Sequence, residues 1–345
     1  MDVAQRVTDE LLGFIDNERD GLEPEAHPLL DELEALISAG GKRLRPRFCY
    51  WGHRAGGGSD SSEIVRACAA LELLHTFALV HDDVMDRSSS RRRRATTFRA
   101  LAELAADVPH RGDPERFGIS AAILTGILGF VLADRLFHRT GFTHEVTARA
   151  ADRYDRMRMR AVGGQYLDLV AAHRGEADEA TARRIGALKS GGYSVADPLA
   201  IGALLATDDP GVVDTLEGYG QPLGEAFQIR DDVLGVFGDP ETTGKDRDGD
   251  LREGKQTVLL AKARSLATPA QRGVLDELVG LPGLTTEQGD RLREVIEATG
   301  ALDRTNELIS ELADRATKSL ANGSLEAGAE LQLRELAERA TVRHA

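Results

Sequence analysis

Cysteine, aromatic residues and strand-forming patterns are all scarce in this chain, and each scarcity removes a class of protein. Only Cys49 and Cys68 are cysteines among 345 residues. Two are too few for a disulfide framework and point to a reducing compartment. Aromatic residues make up 5% of the chain and the formal net charge is −14, so a nucleic-acid surface is not expected in spite of the four arginines at 91–94. The opening residues, MDVAQRVTDE, lack a signal-peptide pattern. The longest uncharged run, Phe117 to Ala133, has 17 residues and three glycines. That is the short limit for a membrane span, and the run reads as a buried core or dimer-interface helix. The expectation is a soluble, cytoplasmic protein with no membrane span and no nucleic-acid partner.

Apolar residues recur at intervals of three and four throughout, which predicts an all-helical chain. Helices are expected over 2–17 and 28–38, from the basic segment Lys42 to Arg47 on to about Gly52, and from a cap near Ser62 toward the aspartates at 82–86. Others are expected over 117–138, 142–173 and 178–206, and in a segment ending near Gly238. The last are expected over 257–266, 269–279, 285–298 and 300–342, broken near Gly323 and Gly328. His53 to Ser62, Ala106 to Phe117 and Gly238 to Gln256 read as loops, and the segment just after the arginines as a polar connection. The last loop is too long to be idle in a compact domain. Neither a linker nor a fixed-period repeat divides the chain, so residues 1–345 read as one domain.

The chemistry concentrates in Leu71 to Arg94, LELLHTFALVHDDVMDRSSSRRRR. Asp82, Asp83 and Asp86 sit at the C-terminal end of an apolar helix, where the macrodipole disfavours acid. Asp82 and Asp86 stand at i and i+4 on one face. Two carboxylates so placed repel unless they share a cation such as Mg²⁺, and guanidinium forks just beyond them match phosphate oxygens. A second acidic pair, Asp231 and Asp232, follows Gln228 by three and four residues and leads into a basic, glycine-rich loop. Two such walls facing each other would hold a diphosphate through metal ions. Taken singly, each feature has an ordinary reading. The aspartates suit a solvated helix face, the arginines a surface patch, and His75 a core histidine. Lys42 and Arg45 suit helix-start charges, and Lys189 a C-cap contact. Their occurrence together is the signal.

The order of motifs resembles the trans-isoprenyl diphosphate synthases, or polyprenyl synthetases. The resemblance rests on GGKRLRP (Gly40 to Pro46), LELLHTFALVHDDVMDRSSSRR (Leu71 to Arg92), GQYLD (Gly164 to Asp168), KSGGYS (Lys189 to Ser194), FQIRDD (Phe227 to Asp232) and GDLREGKQT (Gly249 to Thr257). It implies an all-α antiparallel helical bundle around a deep central cavity, a homodimer, and three Mg²⁺ ions per site. It also implies condensation of isopentenyl diphosphate with an allylic diphosphate such as geranyl or farnesyl. By position in the motifs, Asp82, Asp86 and Asp231 are implied metal ligands. Arg91, Lys189 and Lys245 are implied to grip the allylic diphosphate, and Lys42, Arg45, His75 and Arg92 isopentenyl diphosphate. Gln165, Asp168 and Gln228 would line the site, Lys255 would be the basic residue of the late loop, and Asp83 would support the ligands.

The chain departs from the family pattern at five places, the mildest being Ser190, which follows Lys189 where threonine is usual and keeps the hydroxyl. Gly235 stands where many members have a third aspartate, Arg93 and Ala95 stand where glycine and proline are usual, and Ile127 follows Gly126 where an aspartate is usual. Phe77, five residues before Asp82 and about 7.5 Å along a helix axis, resembles the floor residue of geranylgeranyl (C20) synthases. Two further readings remain at this stage. One is a class I terpene cyclase, which needs no isopentenyl diphosphate site. The other is a non-catalytic subunit that regulates another synthase.

Overall fold

Helix α4, Ser62–Met85, is apolar on every side. Ile64, Val65, Ala67, Cys68 and the run from Ala69 to Leu74 are all buried, and a helix without a polar face has to be surrounded. The computed structural model of the protein describes residues 2–107, 112–239, 247–321 and 325–341 and places four helices around α4. Helix α1, Val3–Glu18, supplies Val7, Leu11 and Ile15 at four-residue spacing. Helix α2, His27–Ser38, supplies Leu30, Leu33, Leu36 and Ile37. Helices α5, Thr97–Ala106, and α6, Pro114–His138, pack on each other and on α4. Leu36, Val80, Phe98 and Ala122 form a shared cluster from these elements. The α5 segment is therefore a helix rather than the polar connection expected. Phe98 and Leu101, three residues apart, give it a buried face.

These elements belong to one of two compact units, Met1–Tyr50 with Asp60–Thr147; the other is Trp51–Ser59 with Ala148–Ala345. Helix α3, Leu44–Ala55, carries the chain from the first to the second. By length and composition α4 and α6 are long and apolar enough to cross a membrane, with 67% and 44% of their most apolar windows buried inside the protein. The other face of α6 is exposed and carries Phe117, Leu124, Ile127 and Val131 in one stripe.

The second unit is built on α10, Pro210–Phe237. Before it come α7, His144–Arg174, α8, Glu179–Gly186, and α9, Asp197–Ala206. After it come α11, Gly249–Glu253, α12, Val258–Leu266, α13, Pro269–Leu278, α14, Thr286–Ala298, α15, Ala301–Leu320, and α16, Ala327–Thr341. Ala226, Ile229, Val233 and Val236 line the core face of α10 and meet Leu251, Val258–Leu260, Ile309 and Leu312. The Tyr219 hydroxyl donates to the Leu333 carbonyl at 2.6 Å, which ties α10 to α16. Helix α11 replaces part of the loop expected between Gly238 and Gln256, and Gly254 ends it in the left-handed conformation at φ 68°.

The helix expected over 178–206 is continuous, but its middle is wound differently. Ala187–Ala196 forms a π-helix, and the Asp197 N–H donates to the carbonyl of Gly192, five residues back. Backbone contact with α10 accompanies the wide winding. A Cβ on Gly224 would lie 2.3 Å from the Gly191 carbonyl oxygen, and one on Gly191 2.8 Å from the Gly224 oxygen. Gly224→Ala should destabilise the protein by about 2–3 kcal/mol, because two backbones must separate. Gly218→Ala in the same helix, where the nearest atom is Ser319 Oγ at 3.5 Å, should be neutral or stabilising by up to ~1 kcal/mol. Urea denaturation midpoints of the two variants test this, and an unchanged midpoint for Gly224→Ala would refute the contact.

Candidate active site

In the first unit the site residues gather at the end of α4. Asp86 closes the helix, its N–H donating to the Asp82 carbonyl at 2.8 Å. Asp83 turns inward and is 2% exposed. Its Oδ1 accepts from Arg91 Nε at 2.9 Å and Nη2 at 2.5 Å. Burial pushes the Asp83 carboxyl up, and Asp82 and Asp86 add to that, against the opposing pull of Arg91. Burial also opposes charge on Arg91, but the three aspartates outweigh it and hold the guanidinium more firmly protonated than usual. Asp82 and Asp86 thus remain as the two partly exposed carboxylates of the motif, one helical turn apart.

The arginines form a two-stranded hairpin, Ser90–Arg91 against Arg94–Ala95. Its two connecting residues, Arg92 and Arg93, have φ of 52° and 61°. A two-residue turn of this kind needs positive φ at both positions and favours Asn-Gly; arginine there is strained and has to be held by its surroundings. Arg94 Nη2 donates to Glu32 at 2.9 and 3.2 Å, and Thr96 Oγ1 to the Ser88 carbonyl at 2.9 Å. Arg94 is therefore part of the hairpin's anchorage. Deeper along α4, His75 is held well below the ordinary histidine range, first by burial and then by Arg45, Arg92, Arg91 and Arg43. Four guanidinium groups thus gather near His75, a concentration of fork-shaped donors that suits diphosphate oxygens. Lys42, next to Arg43 in sequence, is exposed. Phe77 stands edge-on to Phe130, with ring centroids 5.2 Å apart, and to His81, at 4.9 Å.

In the second unit several acids lie close together. Gln228 Nε2 donates to Asp232 at 2.7 Å. Burial, then Asp250, Asp231 and Asp168, push the Asp232 carboxyl up to about 8. Lys189 Nζ donates to Asp168 at 2.7 Å, and Lys255 Nζ to Asp250 at 2.9 Å, with Glu253 2.8 Å away. Gln165 lies on α7 three residues before Asp168. Lys245 lies outside the described residues. The Gly235 departure has a physical counterpart here, because a Cβ at that position would lie 1.9 Å from Asp250 Oδ2. The acid from α11 occupies the room that a side chain at 235 would need.

Among the described residues, no three carboxylate, imidazole or thiolate groups come together closely enough to hold an ion by themselves. The donor set still fits Mg²⁺, which prefers oxygen ligands and is usually held by one or two carboxylates, with substrate phosphates and water completing the shell. Asp82 with Asp86, and Asp231 beside the protonation-prone Asp232, are such partial sets. Sequence reasoning passed over Glu72, Arg43 and Asp250. Glu72 had a legible signal: it is the only acidic residue between Glu63 and Asp82, in a helix with no polar face, and acids are almost never fully buried unless paired.

Comparison with known proteins gives the family. The family model "Polyprenyl synthetase" matches residues 27–299. The geranylfarnesyl diphosphate synthase of Aeropyrum pernix is 34% identical over 273 residues, 78% of this chain and 79% of that one. The geranylgeranyl diphosphate synthase of Saccharolobus solfataricus is 31% identical over 291 residues, 83% and 81% of the two chains. The crystal structure of a geranylgeranyl pyrophosphate synthase from Corynebacterium glutamicum, complexed with isoprenyl diphosphate and magnesium, matches with a TM-score of 0.95 at 34% identity, covering 100% of both chains. With motifs, helical fold and relatives in agreement, the chain belongs to the polyprenyl synthetase family.

Proposed function

We propose that the protein is a Mg²⁺-dependent trans-prenyltransferase that joins isopentenyl diphosphate to a geranyl or farnesyl diphosphate, with geranylgeranyl diphosphate (C20) as main product. The observation that carries this reading is the division of labour at the end of α4. Asp83 turns inward to Arg91, while Asp82 and Asp86 are partly exposed and one turn apart, a placement that suits a shared cation beside the guanidinium groups of Arg91 and Arg92. In this reading Asp82, Asp86 and Asp231 hold three Mg²⁺ ions. The metal supplies Lewis-acid stabilisation of the departing diphosphate. Arg91, Lys189 and Lys245 grip the allylic diphosphate, and Lys42, Arg45, His75 and Arg92 bind isopentenyl diphosphate. His75, kept neutral by its surroundings, contributes hydrogen bonding rather than charge.

The reaction breaks the allylic C–O bond and releases pyrophosphate. The double bond of isopentenyl diphosphate then attacks the allylic cation to form the new C–C bond, and a proton leaves to restore a double bond. Preorganised cations take up the charge that develops on the leaving group, while apolar walls keep water from the cation. Gln165, Asp168, Gln228 and Lys255 complete the polar lining. Phe77, braced by Phe130 and His81, is the floor that limits product length.

The exposed stripe of α6, Phe117, Leu124, Ile127 and Val131, supports a homodimer. Ile127, at a position where the family usually has aspartate, adds to that apolar face. The burial of α4 and of the opposite face of α6 supports core and interface roles for both helices rather than membrane spans, in a cytoplasmic enzyme.

Incubation of the pure protein with Mg²⁺, isopentenyl diphosphate and farnesyl diphosphate should give a C20 diphosphate, and EDTA should abolish it. A hydrocarbon formed without isopentenyl diphosphate would indicate a cyclase, and no condensation with any allylic partner a regulatory subunit. Asp82→Asn and Asp231→Asn should each lower kcat by about two orders of magnitude or more; near-normal turnover removes those residues from the metal site. Phe77→Ala should shift the product toward longer chains, as read by mass spectrometry, and an unchanged distribution rejects the floor. The double variant Leu124→Glu/Val131→Glu should sediment as a monomer where the parent sediments as a dimer, unless α6 is not the interface.

A further inference from the structure

Glu72 is 2% exposed and belongs to none of the ligand sets above. A carboxylate removed from water is tolerated only with charged partners, and it has two. Arg43 Nη1 donates to Glu72 Oε1 at 2.5 Å, and Arg92 Nη2 lies 3.8 Å from the same oxygen. The other nitrogens of these arginines close the end of α2. Arg43 Nη2 donates to the Ile37 carbonyl at 2.5 Å, and Arg92 Nη1 to the Leu36 carbonyl at 2.8 Å. Carbonyls in the last turn of a helix lack partners within it, so the two guanidinium groups cap α2 and share one acid.

The backbone is shaped to this arrangement. Arg43 has φ of 47° and Arg92 of 52°, conformations that a side chain resists and that persist only where the surroundings enforce them. Gly41, at φ 143°, leaves the space in which they meet: a Cβ there would lie 2.7 Å from Arg92 Nη2 and 3.5 Å from Arg43 Nη1. Two guanidinium groups against one carboxylate leave an excess of one positive charge. Burial, and then Arg43, Arg91 and Arg45, weaken the hold of Arg92 on its proton, while Glu72 supports it. An arriving anion relieves this excess.

We propose that Glu72 is the positioning residue of the isopentenyl diphosphate end of the site. It fixes Arg92 directly and, through Arg43, the Gly40–Pro46 segment, so that Lys42, Arg45 and Arg92 are set in advance for one diphosphate. Arg91, anchored separately on Asp83, is independent of it. The inference rests on the assignment of these residues to isopentenyl diphosphate made above.

The test is steady-state kinetics, with calorimetric binding of isopentenyl diphosphate, on Glu72→Gln and on the double variant Arg43→Leu/Glu72→Leu. The double variant replaces the buried ion pair by an apolar one, an exchange that is often neutral for folding. Either variant that folds should raise KM and Kd for isopentenyl diphosphate about tenfold, with KM for farnesyl diphosphate and kcat within about twofold of the parent. A fall in thermal stability with both KM values unchanged, or an equal rise in both, would overturn the positioning role. If the parent binds isopentenyl diphosphate but does not condense it, the proposed function fails, and the Kd values of the variants still decide the part played by Glu72. If the parent does not bind it, both fall.

Discussion

A carboxylate withdrawn from water has to be matched by a cation, and in this protein that requirement is met twice along one helix. Glu72 and Asp83 are both 2% exposed on α4, about 16 Å apart along its axis. Two consecutive arginines, 91 and 92, go to different acids. Neighbouring side chains can diverge in this way because the chain between the strands turns with positive φ at both residues. The strained turn and the buried acids are thus one device. Removing either acid would take a buried counter-charge from its guanidinium and one of the supports from the turn.

The electrostatic consequence differs between the two units. In the first, burial and then Arg45, Arg92, Arg91 and Arg43 hold His75 well below the ordinary histidine range. In the second, burial and then Asp250, Asp231 and Asp168 push Asp232 toward its protonated form.

Much of the fold was legible in the sequence because helical periodicity, glycine stops and loop chemistry are local. Helices α1, α2, α6 and α10 lie close to where the pattern put them. The misses came from elsewhere. Thr97–Ala106 has only Thr97, Phe98 and Leu101 to bury, a face too slight to stand out beside arginines. The π-helix at Ala187–Ala196 accompanies a crossing of Gly191 and Gly224, 33 residues apart in sequence, and no local pattern encodes that. In the candidate site, spacing set Asp82 and Asp86 on one face and left Asp83 for a supporting part, but no local pattern named Arg91 as its partner. Arg43 sits unmarked inside a motif whose other basic residues drew attention. Asp250 was hidden because its significance depends on an absence of side chain at Gly235.

That pairing constrains substitution at 235. Asp250 Oδ2 lies 1.9 Å from where a Cβ at 235 would begin, so any side chain there has to displace the Asp250 carboxylate, and an aspartate would also bring a second acid beside it. The acidic wall is a property of two helices, and a motif read along one of them understates it.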